Sequence, residues 1–219
     1  MKSISVVLCI WKPSNAKRHI VKDLYHALHC WKSQTLPPKE VLVVDINTDV
    51  GEQDRVNEVV SEFGFTHIVA PMPPNASRAL NIGIKEASGE YILVTGADVW
   101  FAPNYLEAVT PLLAPNRHYG AVCGFLKCET EVKSDVLEEW EELLKQMREG
   151  APRYGLGAMQ LVHRDWWREI GGYDESLKLR RADSYIISKV KKTKMVRCVV
   201  KWDVAQMIHI KHRRTRMPK

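Results

Sequence analysis

The amino-acid sequence predicts an α/β fold: a mostly parallel central sheet flanked by helices, with a smaller β element in the second half. Three observations carry that expectation. In the first half of the chain, apolar β-prone runs alternate with segments of helical periodicity, which implies right-handed crossovers and parallel pairing. The runs at residues 3–10 (SISVVLCI), 40–45 (EVLVVD) and 91–94 (YILV) are continuously apolar, as strands buried on both faces are. The length, 219 residues, suits one domain spanning 1–219, with enough core to fold without staples.

Taken in order, residues 3–10 form the first strand and Lys12, Pro13, Ser14 and Asn15 a turn. Ser14 or Asn15 can cap a helix reaching about Ser33, its apolar face made by Ile20, Leu24, Ala27, Leu28 and Trp31. Leu36, Pro37 and Pro38 break that helix before the second strand, 40–45, which ends in Asp45. A loop at 47–51, a helix at 53–63 and a short strand at 66–70 follow. Pro71, Pro73 and Pro74 then lead into 77–100, where Leu80, Ile84 and Ala87 recur at helical spacing. Ser88 and Gly89 end this helix, with the glycine expected in a left-handed conformation. After the strand at 91–94 the chain turns small (Thr95, Gly96, Ala97) and then places Asp98. Asp98 admits two readings. It lies at the sheet edge where open α/β sheets bind ligands, and could hold a divalent cation against a phosphate. It could equally be a cap or turn residue.

The second half is less regular. Residues 103–113 read as a helix, since Pro103 suits a first turn, and 119–128 as a strand. Residues 132–147 carry an apolar helical stripe closed by Gly150, Ala151 and Pro152. A glycine-containing loop at 154–159 leads into Gln160, Leu161 and Val162. A short helix at 164–170 stops at Gly171 and Gly172. A helix at 182–190, a strand at 195–201 and a last apolar segment at 205–210 complete the chain.

Composition is that of an ordinary globular protein, 45% hydrophobic and 26% charged. No apolar run approaches a membrane span, and the opening is too short for a signal peptide. The five cysteines are odd in number and scattered, and Cys123 and Cys128 lack a second Cys or His pair at zinc-finger spacing. These features imply a reducing, cytoplasmic setting. The net charge of +6 is concentrated in Lys189, Lys191, Lys192, Lys194 and Arg197, and again in the 205–219 tail, which holds Lys211, Arg213, Arg214, Arg216 and Lys219. Such clusters attract phosphates, nucleic acid or anionic surfaces, though a solvated helix face and a frayed tail also account for them.

The strand ending in Asp45, the helix Ser77-Arg78-Ala79-Leu80-Asn81-Ile82-Gly83 and the run Ala87-Ser88-Gly89-Glu90-Tyr91-Ile92-Leu93 follow one another along the chain. Later come Gly157-Ala158, Arg164, Gly171-Gly172-Tyr173-Asp174-Glu175 and Ala182-Asp183. In this order the segments resemble the family-2 glycosyltransferases of the GT-A fold, a Rossmann-like plan. Two departures stand out: Gly96 replaces the first Asp of the family's DxD metal motif, leaving Asp98, and Ala182 replaces a Glu beside Asp183.

The resemblance implies a nucleotide-sugar-binding half at 1–100 and an acceptor-binding half at 101–204. It also implies an inverting transfer from a nucleotide-sugar, with a UDP-sugar favoured, to an acceptor hydroxyl. Asp183 would be the general base. Asp98, with His209 or His212, would hold Mn²⁺ or Mg²⁺. Asp45 would meet the nucleobase, Trp11 would lie against it, Arg78 would sit near the nucleotide, and Arg213 or Arg214 would neutralise the diphosphate. Asp174, Glu175 and Trp100 fall on the acceptor side. The acceptor is a saccharide or another hydroxyl compound. The basic C-terminal region also fits a hydroxymethylated base in DNA, with the cations gripping phosphates and Trp100 stacking the flipped base. A non-catalytic sugar-nucleotide or nucleic-acid binding module is a further alternative.

Overall fold

The computed structural model describes residues 2–10, 20–46, 48–71, 73–113, 119–128, 153–155, 159–177, 185–186, 189, 196–200 and 202–210. Its main sheet contains β1 (Ile4–Ile10), β2 (Glu40–Asp45), β3 (Thr66–Val69), β4 (Tyr91–Gly96) and β8 (Met159–His163), in the order β3-β2-β1-β4-β8. The first four strands are parallel and β8 runs antiparallel to β4 at the edge. Strand order reverses between β1 and β4, which makes their C-terminal edge a topological switch point.

Helices cover both faces, which explains the unbroken apolar runs. Helices α1 (Ile20–Lys32) and α2 (Val50–Glu62) pack on the face carrying Val6, Leu8, Val43 and Leu93. Helix α3 (Ala76–Glu86) covers the opposite face, with Val7, Val44, Ile92 and Val94 beneath it. Crossovers that step in opposite directions from β1 must place their helices on opposite faces, because each is right-handed. α3 lies so close that a Cβ on Gly83 would stand 2.4 Å from Val7 Cγ1 and 2.9 Å from Val44 Cγ2.

A second sheet begins immediately after β4. Strand β5 (Val99–Phe101) pairs antiparallel with β10 (Met207–Ile210), which pairs parallel with β6 (Tyr119–Cys128). β6 also pairs with β7 (Arg153–Gly155) and β9 (Val196–Val200).

Several expectations need correction. β5 and β7 were not anticipated, since three residues are too few to show a strand period. α2 begins at Val50, inside the expected loop, because Glu52 and Gln53 donate their N–H groups to the Asp49 carbonyl. The expected helix at 103–113 is α4 (Tyr105–Val109) followed by a 3-10 turn at Thr110–Leu112, where Pro111 has no N–H to continue an α-helix. The glycine at 89 is not left-handed; α3 stops at an extended Ala87, and a Cβ at Gly89 would meet Ser5 N at 2.6 Å. The first strand, the short helix α5 (Arg164–Glu169) and β9 end within a residue or two of their expected limits. The expected helix at 132–147, most of that at 182–190 and the cap residues Ser14 and Asn15 lie outside the described residues.

At the N-terminal edge of the main sheet the polar groups satisfy one another. Glu40 Oε1 accepts from the Ser5 hydroxyl, from Ser88 N–H at 2.7 Å and from the Ser88 hydroxyl at 2.8 Å. Partial burial pushes the Glu40 carboxyl up, but the Ser5 and Ser88 hydrogen bonds and the Lys39 charge together hold it below its ordinary value. A depressed carboxyl contributes stability above its unfolded-state pKa, about 4.3, and loses it as pH falls through the folded value. The gap in Tm between the unaltered protein and Glu40→Gln should therefore be widest near neutral pH and close below about pH 4. Gly83→Ala should cost about 1–3 kcal/mol in denaturant unfolding, because the core must shift to admit the methyl.

Candidate active site at the C-terminal sheet edge

β1 and β4 pair with Cys9 opposite Gly96, and β1 and β2 with Ile10 opposite Asp45, so these residues share one edge. Asp45 is 0% exposed. Its Oδ1 accepts the Thr48 N–H at 2.8 Å, and its Oδ2 stands 3.7 Å from His67 Nε2 on β3. That Oδ2 has no hydrogen-bond partner among the described residues. An ionised carboxylate so buried is favourable only beside a compensating charge or donor. His67 escaped the sequence reading, because its nearness to Asp45 follows from the pairing of β3 with β2.

Asp98 occupies the two-residue turn between β4 and β5. Its carbonyl accepts the Ile210 N–H at 2.8 Å, and the β5–β10 register sets His209 opposite Val99. Asp98 Oδ2 and His209 Nε2 consequently lie 3.6 Å apart, their side chains 18% and 27% exposed. The Asp98 carboxylate folds back over Gly96, where a Cβ would lie 2.5 Å from Oδ1. Glycine in the first DxD position thus gives this carboxylate its room. Among the described residues there is no cluster of three His, Cys, Asp or Glu side chains around a common point. The pair nonetheless suits a hard divalent cation, because such ions accept one or two protein ligands and complete their shell with water and substrate phosphate.

Between the two acids, burial pushes the Cys9 thiol far up, with the charges of Asp45 and then Asp98 adding to the effect. The thiol therefore stays protonated and is not a nucleophile.

On the other side of α3, Asp174 and Glu175 follow a double-glycine turn in which Gly171 and Gly172 have φ of 73° and 75°. Asp174 Oδ1 accepts from Ser176 Oγ at 2.6 Å and Ser176 N–H at 2.9 Å, and these bonds hold its carboxyl below its ordinary value. Glu175 Oε2 lies 3.3 Å from Arg78 Nε. The Arg78 guanidinium, expected near the nucleotide, is thus turned to Glu175.

Trp100 requires a plain correction. It is 2% exposed, its ring 4.9 Å from His26, and its Nε1–H points to the Ala97 carbonyl at 3.3 Å. As a member of β5 under α1 it belongs to the core and offers no stacking surface to a sugar or a base. Asp183, Trp11, His212, Arg213 and Arg214 lie outside the described residues. The structure therefore brings together Asp98 with His209 and Arg78 with Glu175, and sets Asp45 along the same edge as Asp98.

The profile of the family described as Glycosyl transferase family 2 matches residues 16–171. The chain belongs to that family. Solved structures agree on the fold. TarS of S. aureus superposes with a TM-score of 0.66 at 12% identity, over 95% of this chain and 37% of that one. A mannosyltransferase of Pyrobaculum calidifontis, PcManGT, solved with GDP-Man and Mn²⁺, gives a TM-score of 0.65 at 16% identity, over 96% of this chain and 56% of its own. GalNAc-T7, solved with UDP, GalNAc and Mn²⁺, gives 0.66 at 14% identity, over 96% of this chain and 44% of its own. In sequence, a cholesterol galactosyltransferase of Borreliella burgdorferi is 23% identical over 106 residues, which are 48% of this chain and 28% of that protein. This family-2 chain thus spans well under two thirds of these relatives' lengths, and its α/β plan, with a mostly parallel sheet, is the GT-A fold they share. Among the described residues no helix is long and apolar enough to cross a membrane.

Trp100→Ala should lower stability by about 3–5 kcal/mol in denaturant unfolding, the cost of emptying a core site of that size. An unchanged unfolding midpoint would return the residue to the surface.

Proposed function

We propose that the chain transfers a sugar from a nucleotide-diphosphate sugar, a UDP-sugar in the favoured case, to an acceptor hydroxyl with inversion. The observation that carries this reading is the Asp98–His209 pair, 3.6 Å apart on the switch-point edge of a family-2 fold. Two structures of the same fold were solved with Mn²⁺ and a nucleotide or nucleotide-sugar, which supports the same donor class here.

In this reading Asp98 and His209, with His212 as a second imidazole candidate, hold Mn²⁺ or Mg²⁺. The bound cation supplies charge neutralisation for the departing diphosphate. Asp45 turns toward the nucleobase, which requires its buried Oδ2 to exchange the His67 side for a ring N–H. Trp11 lies against the base, and Arg213 or Arg214 approaches the diphosphate. Asp183 accepts the acceptor proton as the hydroxyl attacks the anomeric carbon from the face opposite the leaving group. Asp174 contributes an ionised carboxylate on the acceptor side, where it can accept hydrogen bonds from sugar hydroxyls. With Trp100 in the core, acceptor recognition passes to other side chains, and a saccharide or other hydroxyl compound is the proposed class.

Asp98→Ala should weaken Mn²⁺-dependent UDP binding by at least tenfold in calorimetry, while affinity without metal stays level. Asp183→Asn should lower donor turnover by 10²–10⁴-fold, the usual share of a general base. Full activity in that variant would remove Asp183 from the role, and metal-dependent binding undiminished in Asp98→Ala would remove the cation site.

A further inference from the structure

One face of α3 is committed to the segment that follows the double glycine. Asn75, Arg78 and Asn81 recur three residues apart, so they stand in a row along the helix. Asn75 is the N-cap: its Oδ1 accepts the Arg78 N–H at 3.0 Å, while its Nδ2 donates to the Glu175 carbonyl at 2.8 Å. Asn81 copies a backbone pairing. Its Oδ1 accepts the Tyr173 N–H at 2.7 Å, and its Nδ2 donates to the Tyr173 carbonyl and to Glu175 Oε1, both at 2.9 Å. Arg78 Nε donates to the other Glu175 oxygen at 3.3 Å.

The segment is also fixed from below. Tyr173 is 3% exposed, its ring stacked on Trp167 at 5.3 Å, and its hydroxyl bonds to Gln160 of β8. Gly172 allows this approach, since a Cβ there would lie 2.5 Å from Asn81 Oδ1. Both oxygens of Glu175 are spent on α3, whereas Asp174 makes its bonds within its own turn, to Ser176.

We propose that Arg78 and Asn81 are positioning residues for the acceptor side, acting through Glu175 to fix the segment that presents Asp174. Glu175 is then a tether and not an acceptor ligand, and Arg78 serves the segment and not the nucleotide. This inference rests on the transferase reading above. An ion pair whose two side chains are 32% and 44% exposed adds little stability in itself. Its effect is directional: Asn81 binds the Tyr173 backbone and one Glu175 oxygen, and the guanidinium binds the other, so the carboxylate is held from both sides.

The test uses the full chain with Mn²⁺, UDP and GDP as nucleotide probes, and a panel of UDP- and GDP-sugars with simple glycosides as acceptors. Hydrogen exchange is followed at 171–177 in parallel. Arg78→Ala should raise amide exchange at 173–176 at least fivefold, leave nucleotide affinity within twofold, and raise the acceptor KM several-fold at constant donor KM. Arg78→Lys should recover part of the acceptor KM, and Glu175→Gln should reproduce the Arg78→Ala pattern. A tenfold loss of nucleotide affinity with unchanged exchange would make Arg78 a nucleotide ligand and overturn the proposal. Faster exchange with an unchanged acceptor KM would reduce the row to a structural clamp and overturn the positioning role. An unaltered protein that turns over no donor, or only hydrolyses it, overturns the transferase reading or the acceptor-side role. The exchange and nucleotide arms still report separately whether Arg78 holds the segment.

Discussion

The close seating of α3 on β1 and β2 is the constraint on which the molecule depends. Without room for a Cβ at residue 83, the helix axis is brought down onto Val7 and Val44. That contact anchors the crossover that carries the chain from β3 at one edge of the sheet, past β2 and β1, to β4 on the far side. The reversal opens the edge where Asp45 ends β2 and Asp98 follows β4. The opposite flank of the same helix remains available, and the chain uses it for Asn75, Arg78 and Asn81. One helix therefore packs on the sheet with its buried side and holds the segment after the double glycine with its polar side.

The electrostatics of the sheet differ from one edge to the other. At the N-terminal edge, the Glu40 carboxylate is absorbed by Ser5 and Ser88, and the Arg164 guanidinium bonds to the Ser88 carbonyl at 3.0 Å. At the C-terminal edge two carboxylates each face an imidazole across a gap slightly longer than a hydrogen bond, at 3.6 and 3.7 Å. Two carboxylates gathered on one edge are suited to cations and polar ligands, and beside them the Cys9 thiol is pushed far up, first by burial and then by the charges of Asp45 and Asp98.

How much of this was legible follows from burial. β1, β2 and β4 are covered on both faces, so their sequences are unbroken apolar runs and their limits read almost directly; Asp45 and Asp98 stand out because they end such runs. Where the second sheet is built from three- and four-residue strands, no period exists to be read, and β5 was not anticipated. The resemblance alone put Trp100 on the acceptor side as a stacking ring, whereas as the middle of β5 beneath α1 it fills the core. Gly89 was recognised as obligatory for the wrong reason, since conformation and close approach leave the same letter in a sequence. Partners such as His67 and Glu175's tethers depend on which strand or helix lies alongside, and only the fold supplies that.

The seating of the strand that carries His209 has a consequence for the C-terminal edge. β10 presents Met207 and Ile208 to the core, fully buried, and the next side chain faces the Asp98 carboxylate. Because side chains along a strand alternate, sliding β10 by one position along β5 would set an isoleucine beside the carboxylate and turn the imidazole away. The pairing of Asp98 with an imidazole is in this way governed by how two buried apolar residues of the same strand seat. Packing substitutions at 207 and 208 should therefore disturb the Asp98–His209 pair without touching a single polar group.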